Sequence, residues 1–267
     1  MAMRLAHPGH SRAERECATL SAAMKTLLAT LVLASCLGCS TGGDRRPTLG
    51  LLGDADPRVL YSVATREPLV ALTIDDGPDP DSTPAILDVL AKHEATATFF
   101  LISSRVPGNE ALVDRIVAEG HEVANHHVRD EPSIGLAPRE FARGLRAARS
   151  ALSPWPAARW FRPGSGWYDE AMLDVLDAEG YVCALGSIYP LDAQIPSSRW
   201  ASWLIRHRAS AGDVVILHDG GARGRRTARA LGSALPVLRK RGLRAVSLSR
   251  LVAVGHRAPP AKLPPSG

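Results

Sequence analysis

Cysteine is scarce in this sequence. Only four of the 267 residues are cysteine, and three of them, Cys17, Cys36 and Cys39, precede residue 40. The fourth, Cys183, lies in an apolar segment, so we expect it to be a small buried core residue rather than a nucleophile. This distribution excludes a disulfide framework downstream of residue 40.

The sequence also lacks tandem repeats and a strong excess of charge. The formal net charge is +5 at pH 7, which is weak for a protein dedicated to binding nucleic acid. Basic residues do concentrate late in the chain, where we interpret them as a solvated helix face: Arg223, Arg225, Arg226, Arg229, Arg239, Lys240, Arg241 and Arg244. We therefore expect no nucleic-acid partner, whereas attraction to an anionic polymer or membrane surface stays open. We expect the chain to act as a monomer.

An apolar run at residues 27–40 follows Lys25. Its length and the preceding positive charge are typical of an export signal, and it is shorter than the roughly 20 apolar residues of a membrane-spanning helix. Two tetrapeptides, ending at Cys36 and at Cys39, resemble the lipobox of bacterial lipoproteins. One of these cysteines is therefore expected to carry a lipid anchor in the membrane, and a plain secretory signal is the alternative.

Length and composition favour one α/β domain. The chain has 45% hydrophobic residues, enough to bury a full core once a leader is removed. We predict an N-terminal extension and leader at 1–39, a flexible tether at 40–58, one domain at 59–254 and a disordered tail at 255–267. A protein organised in this way is expected to be exported to the cell envelope.

Strand-like and helix-like segments alternate along the predicted domain. Apolar, β-branched segments predict strands at 69–74, 95–102, 121–126, 160–162, 181–185, 213–219 and 243–248. Amphipathic segments predict helices at 83–93, 110–119, 138–152, 169–179, 199–208 and 227–241. This order implies a parallel sheet, closed or nearly closed into a barrel, whose functional residues lie at the carboxyl ends of its strands.

Two adjacent acids end the first strand segment. Asp75 and Asp76 are followed by Gly-Pro, which forces a turn. Because successive strand residues point to opposite faces, the two carboxylates are expected to have different neighbours and different roles. An ordinary solvated turn has the same composition, so a functional assignment depends on residues further along the chain.

Three side chains have the chemistry of metal ligands. His126 and Asp130 are four positions apart, which brings both within reach of one point on a helical turn or tight loop. With Asp76 they would form an Asp-His-Asp set that leaves positions open for water and substrate. Zinc accepts such ligands, and the second carboxylate keeps cobalt, manganese and iron as alternatives.

Four polar motifs follow one another along the chain. They are Thr-Ile-Asp-Asp-Gly-Pro at 73–78, Gly-His-Glu-Val-Ala-Asn-His at 120–126, Phe-Arg-Pro-Gly-Ser-Gly at 161–166 and Val-Ile-Leu-His-Asp at 215–219. Together they resemble the ordered motifs of the polysaccharide deacetylases, the NodB-homology group of carbohydrate esterases. The resemblance implies a distorted (β/α) barrel and metal-dependent removal of acetyl groups from N-acetylated sugars in chitin-like or cell-wall glycans.

The resemblance also implies a role for each acidic residue. Asp75 corresponds to the general base, Asp76 to the first metal ligand and His126 to the second. The third ligand of the family is a histidine, and Asp130 stands in its place. Since a carboxylate also ligates metals, we expect a working site with an altered metal preference.

The later motifs supply an acid and its supports. Arg162 corresponds to the arginine that holds the catalytic aspartate, and His218 corresponds to the catalytic acid. Asp192 lies in a partly kept motif and is expected to orient His218. Asp219 is the weaker alternative, because successive strand residues face opposite ways. Leu217 corresponds to the residue that lines the pocket for the acetyl methyl group.

The substrate groove departs from the family pattern. Gly164 replaces a usual proline and Ala193 a usual tryptophan, so that one groove wall is missing or is supplied by Trp167. Gly164, Trp167 and Tyr189 are the remaining predicted substrate contacts. Two alternatives therefore stay open: a hydrolase of the same barrel acting on a non-sugar amide or an O-acetyl ester, and a non-catalytic glycan-binding protein.

Overall fold

The computed structural model describes residues 56–257. The predicted leader at 1–39 with its candidate lipid sites Cys36 and Cys39, the tether as far as residue 55, and the tail from residue 258 lie outside the described residues. Between residues 56 and 257, no helix is both long enough and apolar enough to cross a membrane.

A parallel sheet forms the centre of the described chain. The strands are β1 (Val59–Leu60), β2 (Val63–Ala64), β3 (Leu69–Gly77), β4 (Thr98–Leu101), β5 (Glu122–Asn125), β6 (Ala157–Phe161), β7 (Val182–Ala184), β8 (Val214–His218), β9 (Arg244–Val246) and β10 (His256–Arg257). The sheet order is β1-β7-β6-β5-β4-β3-β8, with β9 also paired to β3. The two short strands β2 and β10 pair with each other in antiparallel fashion.

Helices connect the strands from β3 onwards. They are α1 (Thr83–Lys92), α2 (Glu110–Ala118), α3 (Pro138–Leu152), α4 (Glu170–Ala178), α5 (Ser198–Arg208), α6 (Gly221–Lys240) and α7 (Leu248–Val252). Parallel neighbours need such crossovers, because a tight hairpin would reverse the strand direction. The regular alternation of strand and helix thus produces the parallel sheet that the sequence pattern predicts.

The sheet curls until its two ends meet. All nine residues of β3 are buried, as expected for a parallel strand covered on both faces. Beyond β7, Ile188 forms a parallel bridge with Val215 of β8. The chain after β7 therefore contacts the strand at the other end of the sheet order, and the predicted distorted (β/α) barrel is confirmed.

Two apolar clusters make up much of the core. One includes Leu69 of β3 and Phe100 of β4, and the other packs Phe141 of α3 against Phe161 of β6. Cys183 belongs to the second cluster and is 2% exposed. Burial raises the pKa of its thiol to about 12, so the prediction of an inert core cysteine is confirmed.

Several predicted boundaries differ from those of the structure by two or more residues. The basic helix predicted from residue 227 begins at Gly221, because Gly220 and Gly221, with φ angles of 97° and 50°, turn the chain directly into the helix. The last strand of the barrel, predicted to reach residue 248, ends at Val246. Residues 256–257, which fall within the predicted tail, form β10, and its backbone pairs with β2.

Candidate active site

A buried arginine holds Asp75. Arg162 directly follows β6, and its Nη1 donates a hydrogen bond to Asp75 Oδ1 at 2.6 Å. The two side chains are only 2% and 3% exposed. The guanidinium also lies 4.1 Å from the ring centre of Phe100 and donates to the hydroxyl of Thr73 and the carbonyls of Ala184 and Leu185. The arginine is therefore fixed on all sides, and it fixes Asp75.

Asp76 departs from strand geometry. Its φ angle is +70°, and the register of β3 with β4 shifts between Asp75 and Gly77. This irregularity re-aims the Asp76 side chain. Its Oδ1 lies 3.2 Å from Nε2 of His126, and its Oδ2 lies 2.7 Å from Nη2 of Arg223. The expectation that the two acids have different neighbours is confirmed.

The His126 ring is oriented by the backbone. Its Nδ1 lies 2.7 Å from the carbonyl oxygen of Arg162, and because a carbonyl only accepts, Nδ1 must carry a proton. In the neutral ring, Nε2 is then an acceptor and faces a second acceptor, Asp76 Oδ1. Two acceptors at this distance need a proton or a metal ion between them. The lone pairs of His126 Nε2 and Asp76 Oδ1 are therefore suited to bind one divalent cation.

Without a metal, a proton on Nε2 of His126 bridges His126 and the ionised Asp76. Burial lowers the pKa of His126, but the hydrogen bond to Asp76 and the nearby carboxylates outweigh this effect and raise it. Burial raises the pKa of Asp76, but the contact with His126 and the charges of His218 and Arg223 leave it well below its usual value. An ionised Asp76 is the form that a cation requires.

Asp130 is not brought to the other two predicted ligands. Its side chain is 52% exposed and forms an ion pair with Nη2 of Arg105 at 3.1 Å. Within residues 56–257, no group of three or more His, Cys, Asp or Glu side chains is arranged to hold a metal ion. The structure thus assembles Asp76 and His126, and the role of Asp130 as third ligand stays a prediction.

His218 is fixed by Asp192. Its Nδ1 lies 2.9 Å from Asp192 Oδ1, and its backbone N–H donates to Oδ2 at 2.9 Å. The Thr227 hydroxyl donates to the His218 carbonyl oxygen at 2.7 Å and lies 3.3 Å from Asp192 Oδ2. Burial lowers the pKa of His218, but the charge and hydrogen bond of Asp192, with Asp75 and Asp76 nearby, outweigh it and raise the pKa to about 9. His218 is therefore a protonated group at neutral pH.

Asp219 points away from His218. Its carboxylate accepts hydrogen bonds from the hydroxyls of Ser82 and Thr83 and from the backbone N–H of Gly220. Burial nonetheless raises its pKa. Asp219 therefore ties the end of β8 to the start of α1, and Asp192 alone of these two aspartates orients His218.

Asp75 and His218 flank the same space. They are directly paired in the register of β3 with β8, and paired residues of neighbouring parallel strands project to the same side. The pair Asp76 and His126 lies beside them, at the ends of β3 and β5. The site therefore combines a fixed carboxylate, a protonated imidazole and two side-chain atoms with the chemistry to ligate a metal.

The predicted substrate contacts differ in accessibility. Leu217 is fully buried, whereas Trp167 is 43% exposed. The ring of Tyr189 packs edge-on against His218 with 5.8 Å between ring centres. A Cβ at Gly164 would lie 2.2 Å from the carbonyl oxygen of Glu131, so the proline of the family pattern does not fit here. The substrate roles of these residues stay predictions.

Arg223 is a site residue that the sequence pattern did not predict. We interpreted it as part of a solvated basic face, but its guanidinium contacts the buried Asp76 carboxylate at 2.7 Å. It lies in the first turn of α6, directly after the site strand β8. A basic residue in the first turn of a helix that follows a site strand is the signal that indicates this placement.

Curated relatives share most of this chain. A family model described as polysaccharide deacetylase matches residues 62–184. A peptidoglycan-N-acetylglucosamine deacetylase of Bacillus cereus is 34% identical over 201 residues, which are 74% of this chain and 94% of the relative. A chitooligosaccharide deacetylase of Bradyrhizobium sp. is 34% identical over 196 residues, 68% of this chain and 90% of the relative.

Solved structures agree with these relatives. A peptidoglycan N-acetylglucosamine deacetylase superposes with a TM-score of 0.70 at 26% identity, covering 75% of this chain and 95% of that one. A family 4 acetyl xylan esterase from Clostridium thermocellum, in complex with a cobalt ion, has a TM-score of 0.65 at 27% identity over 69% of this chain and 90% of that one. The chain therefore belongs to the polysaccharide deacetylase family.

Proposed function

We propose that this protein is a metal-dependent hydrolase that removes N-acetyl groups from a polysaccharide or oligosaccharide, either chitin-like or from peptidoglycan. One observation carries the proposal: Asp75 and His218 are paired on adjacent strands. Each has its own buried partner, Arg162 and Asp192 respectively. A base and an acid on two sides of one space match the requirements of amide hydrolysis.

Asp75 acts as the base that takes a proton from the attacking water. Arg162 occupies Oδ1 of this carboxylate, so we assign proton acceptance to Oδ2. Only an ionised carboxylate accepts a proton, and the positive charge of Arg162 lies directly against this one. The same contact keeps the carboxylate aimed at the site during the reaction.

His218 acts as the acid that protonates the departing amine nitrogen. Because Nδ1 binds Asp192, the proton that it delivers is the one on Nε2. The pKa of about 9 keeps this proton in place at neutral pH. His218 therefore begins each cycle in the form that an acid requires.

Asp76 and His126 would hold the cation. Zinc is the first candidate for an imidazole and a carboxylate, and cobalt, manganese and iron are the alternatives. When bound, a divalent cation supplies Lewis acidity, which polarises the acetyl carbonyl and lowers the pKa of water from 15.7 to about 7. The 3.2 Å approach of Asp76 Oδ1 and His126 Nε2 supports this assignment.

A second substrate class has one observation in its favour. Ala193 is exposed where the family pattern has a tryptophan, so one wall of the sugar groove is open. A non-sugar amide or an O-acetyl ester would depend less on that wall. The intact arrangement of Asp75, Arg162, His218 and Asp192 argues against a non-catalytic glycan-binding role.

Acetate release tests the proposal. The full chain, stripped of metal and resupplied separately with zinc, cobalt or manganese, is expected to release acetate from N-acetylglucosamine oligomers or peptidoglycan only after metal is restored. Release from O-acetylated xylan alone would favour the ester alternative. No release from any substrate, with folded and metal-loaded protein, would contradict a deacetylase function.

The pH profile tests the role of His218. Its pKa is raised to about 9 by Asp192, so the acid form is lost only as the pH rises through that value. Asp192→Asn removes the charge of residue 192 and lowers the pKa of His218. The pH above which kcat declines is therefore expected to fall by at least about one unit. The matched control Asp174→Asn, at a carboxylate that is 68% exposed, should leave the limb in place. An unmoved limb in Asp192→Asn would exclude His218 as the titrating acid.

We also propose that the protein acts at the cell envelope, as an exported lipoprotein. The apolar run with its preceding lysine and the lipobox-like segments ending at Cys36 and Cys39 support this proposal. Anchoring there would place the site next to cell-wall glycans. Mass spectrometry of the mature N-terminus would identify an acylated cysteine or show a plain signal cleavage.

A further inference from the structure

Arg223 is built into the site from the helix side. It lies in the first turn of α6, where its Nε donates to the carbonyl oxygen of Asp219 at 2.9 Å. Its side chain is 26% exposed, and its Nη2 reaches the Asp76 carboxylate. Two contacts at opposite ends of the guanidinium therefore hold the arginine in one orientation, as is typical of its planar fork.

Both oxygens of the Asp76 carboxylate are occupied. Oδ1 faces His126 at 3.2 Å and Oδ2 faces Arg223 at 2.7 Å. The carboxylate is only 4% exposed, so solvent screens this contact weakly. A divalent cation between Asp76 and His126 would therefore meet a positive charge on the same carboxylate.

A second arginine, Arg105, contacts two of the predicted ligands at other atoms. Arg105 donates to the backbone carbonyl of Asp76 and pairs with Asp130 at 3.1 Å. It leaves the Asp76 carboxylate to Arg223 and holds Asp130 half-exposed. Of these two arginines, Arg223 is thus the one whose side chain contacts the Asp76 carboxylate.

We propose that Arg223 competes with the divalent cation for Asp76 and thereby sets the metal affinity of the site. The arginine neutralises Asp76 in the metal-free protein and must release Oδ2, or tolerate a neighbouring cation, when metal binds. The inference rests on the proposed metal-dependent function. It extends that function by naming a residue that weakens metal binding and so makes occupancy depend on metal concentration.

Two substitutions of Arg223 distinguish the effect of its charge on metal affinity from the effect of its packing. Arg223→Gln removes the charge and keeps much of the side-chain length, and its dissociation constant for zinc is expected to fall about tenfold or more. Arg223→Lys keeps the charge, and its affinity should stay close to that of the unaltered protein. Arg225→Gln, at an exposed arginine of the same helix, is the matched control and should change nothing.

The measurement is equilibrium titration of the metal-free full chain with zinc against a chelating indicator, with circular dichroism to confirm folding. Asp76→Asn should abolish tight zinc binding both in the unaltered protein and in Arg223→Gln. That loss would show that the titration measures binding at this site. Equal or weaker binding by Arg223→Gln, with binding still dependent on Asp76, would overturn the competition and leave the proposed function intact. Absence of any Asp76-dependent binding would overturn the metal site itself, and the inference with it.

Discussion

Asp75→Asn is expected to lower kcat/KM for acetate release by about 10²–10⁴-fold. The substitution keeps the size of the side chain and removes the charge that accepts the water's proton. The carboxylate has no substitute in its place, because Asp76 points to His126 and Arg223. The loss should appear in kcat rather than in KM, because proton transfer belongs to the chemical step.

Metal binding separates this effect from general damage. Asp76 and His126 are unchanged in the variant, so its zinc content after dialysis should match that of the unaltered protein. Asp81→Asn, at an exposed carboxylate between β3 and α1, is the matched control and should retain full turnover. Turnover within about threefold of the unaltered protein after Asp75→Asn would exclude Asp75 as the general base.

Arg162→Met is expected to lower the free energy of unfolding by about 3–5 kcal/mol, because it leaves the buried Asp75 carboxylate without its partner. The variant also removes hydrogen bonds to the carbonyls of Ala184 and Leu185. Urea unfolding measures the loss. A decrease below about 1 kcal/mol would contradict the description of Arg162 as the fixed centre of the site.

A double variant identifies the source of that loss. Asp75→Asn combined with Arg162→Met removes both charges, so the double variant should be more stable than the sum of the two single effects predicts. Additivity within about 0.5 kcal/mol would show that the two side chains do not interact energetically. Arg146→Met provides the contrast, because its ion pair with Glu179 is 55% exposed on the arginine side and such surface pairs contribute only about 0–1 kcal/mol.

Helix positions followed closely from the sequence where periodicity and helix ends agreed. The helix predicted at 138–152 has those bounds in the structure, because its apolar spacing is regular and a proline occupies the first position. The start of α6 was predicted six residues too late, since two glycines seldom mark the beginning of a helix. Helix propensity alone did not indicate that α6 would begin directly after β8.

The sequence predicted which residues lie at the site more reliably than it predicted which of them contact one another. The expected neighbours Asp75 with Arg162 and His218 with Asp192 are in contact. Asp130 illustrates the limit, because a spacing of four residues brings two side chains together only if the loop between them coils suitably. Here Arg105 holds Asp130 by an ion pair instead.

By itself the sequence determined the order of strands and helices, the position of polar residues at strand ends and the buried state of Cys183. These features depend on local periodicity and on the few residue types that end a strand or helix. Only the tertiary structure decided which charge lies next to Asp76. Arg223 arrives there because β8 pairs with β3 and α6 begins directly after β8, and such long-range pairing leaves no periodic signal in the chain.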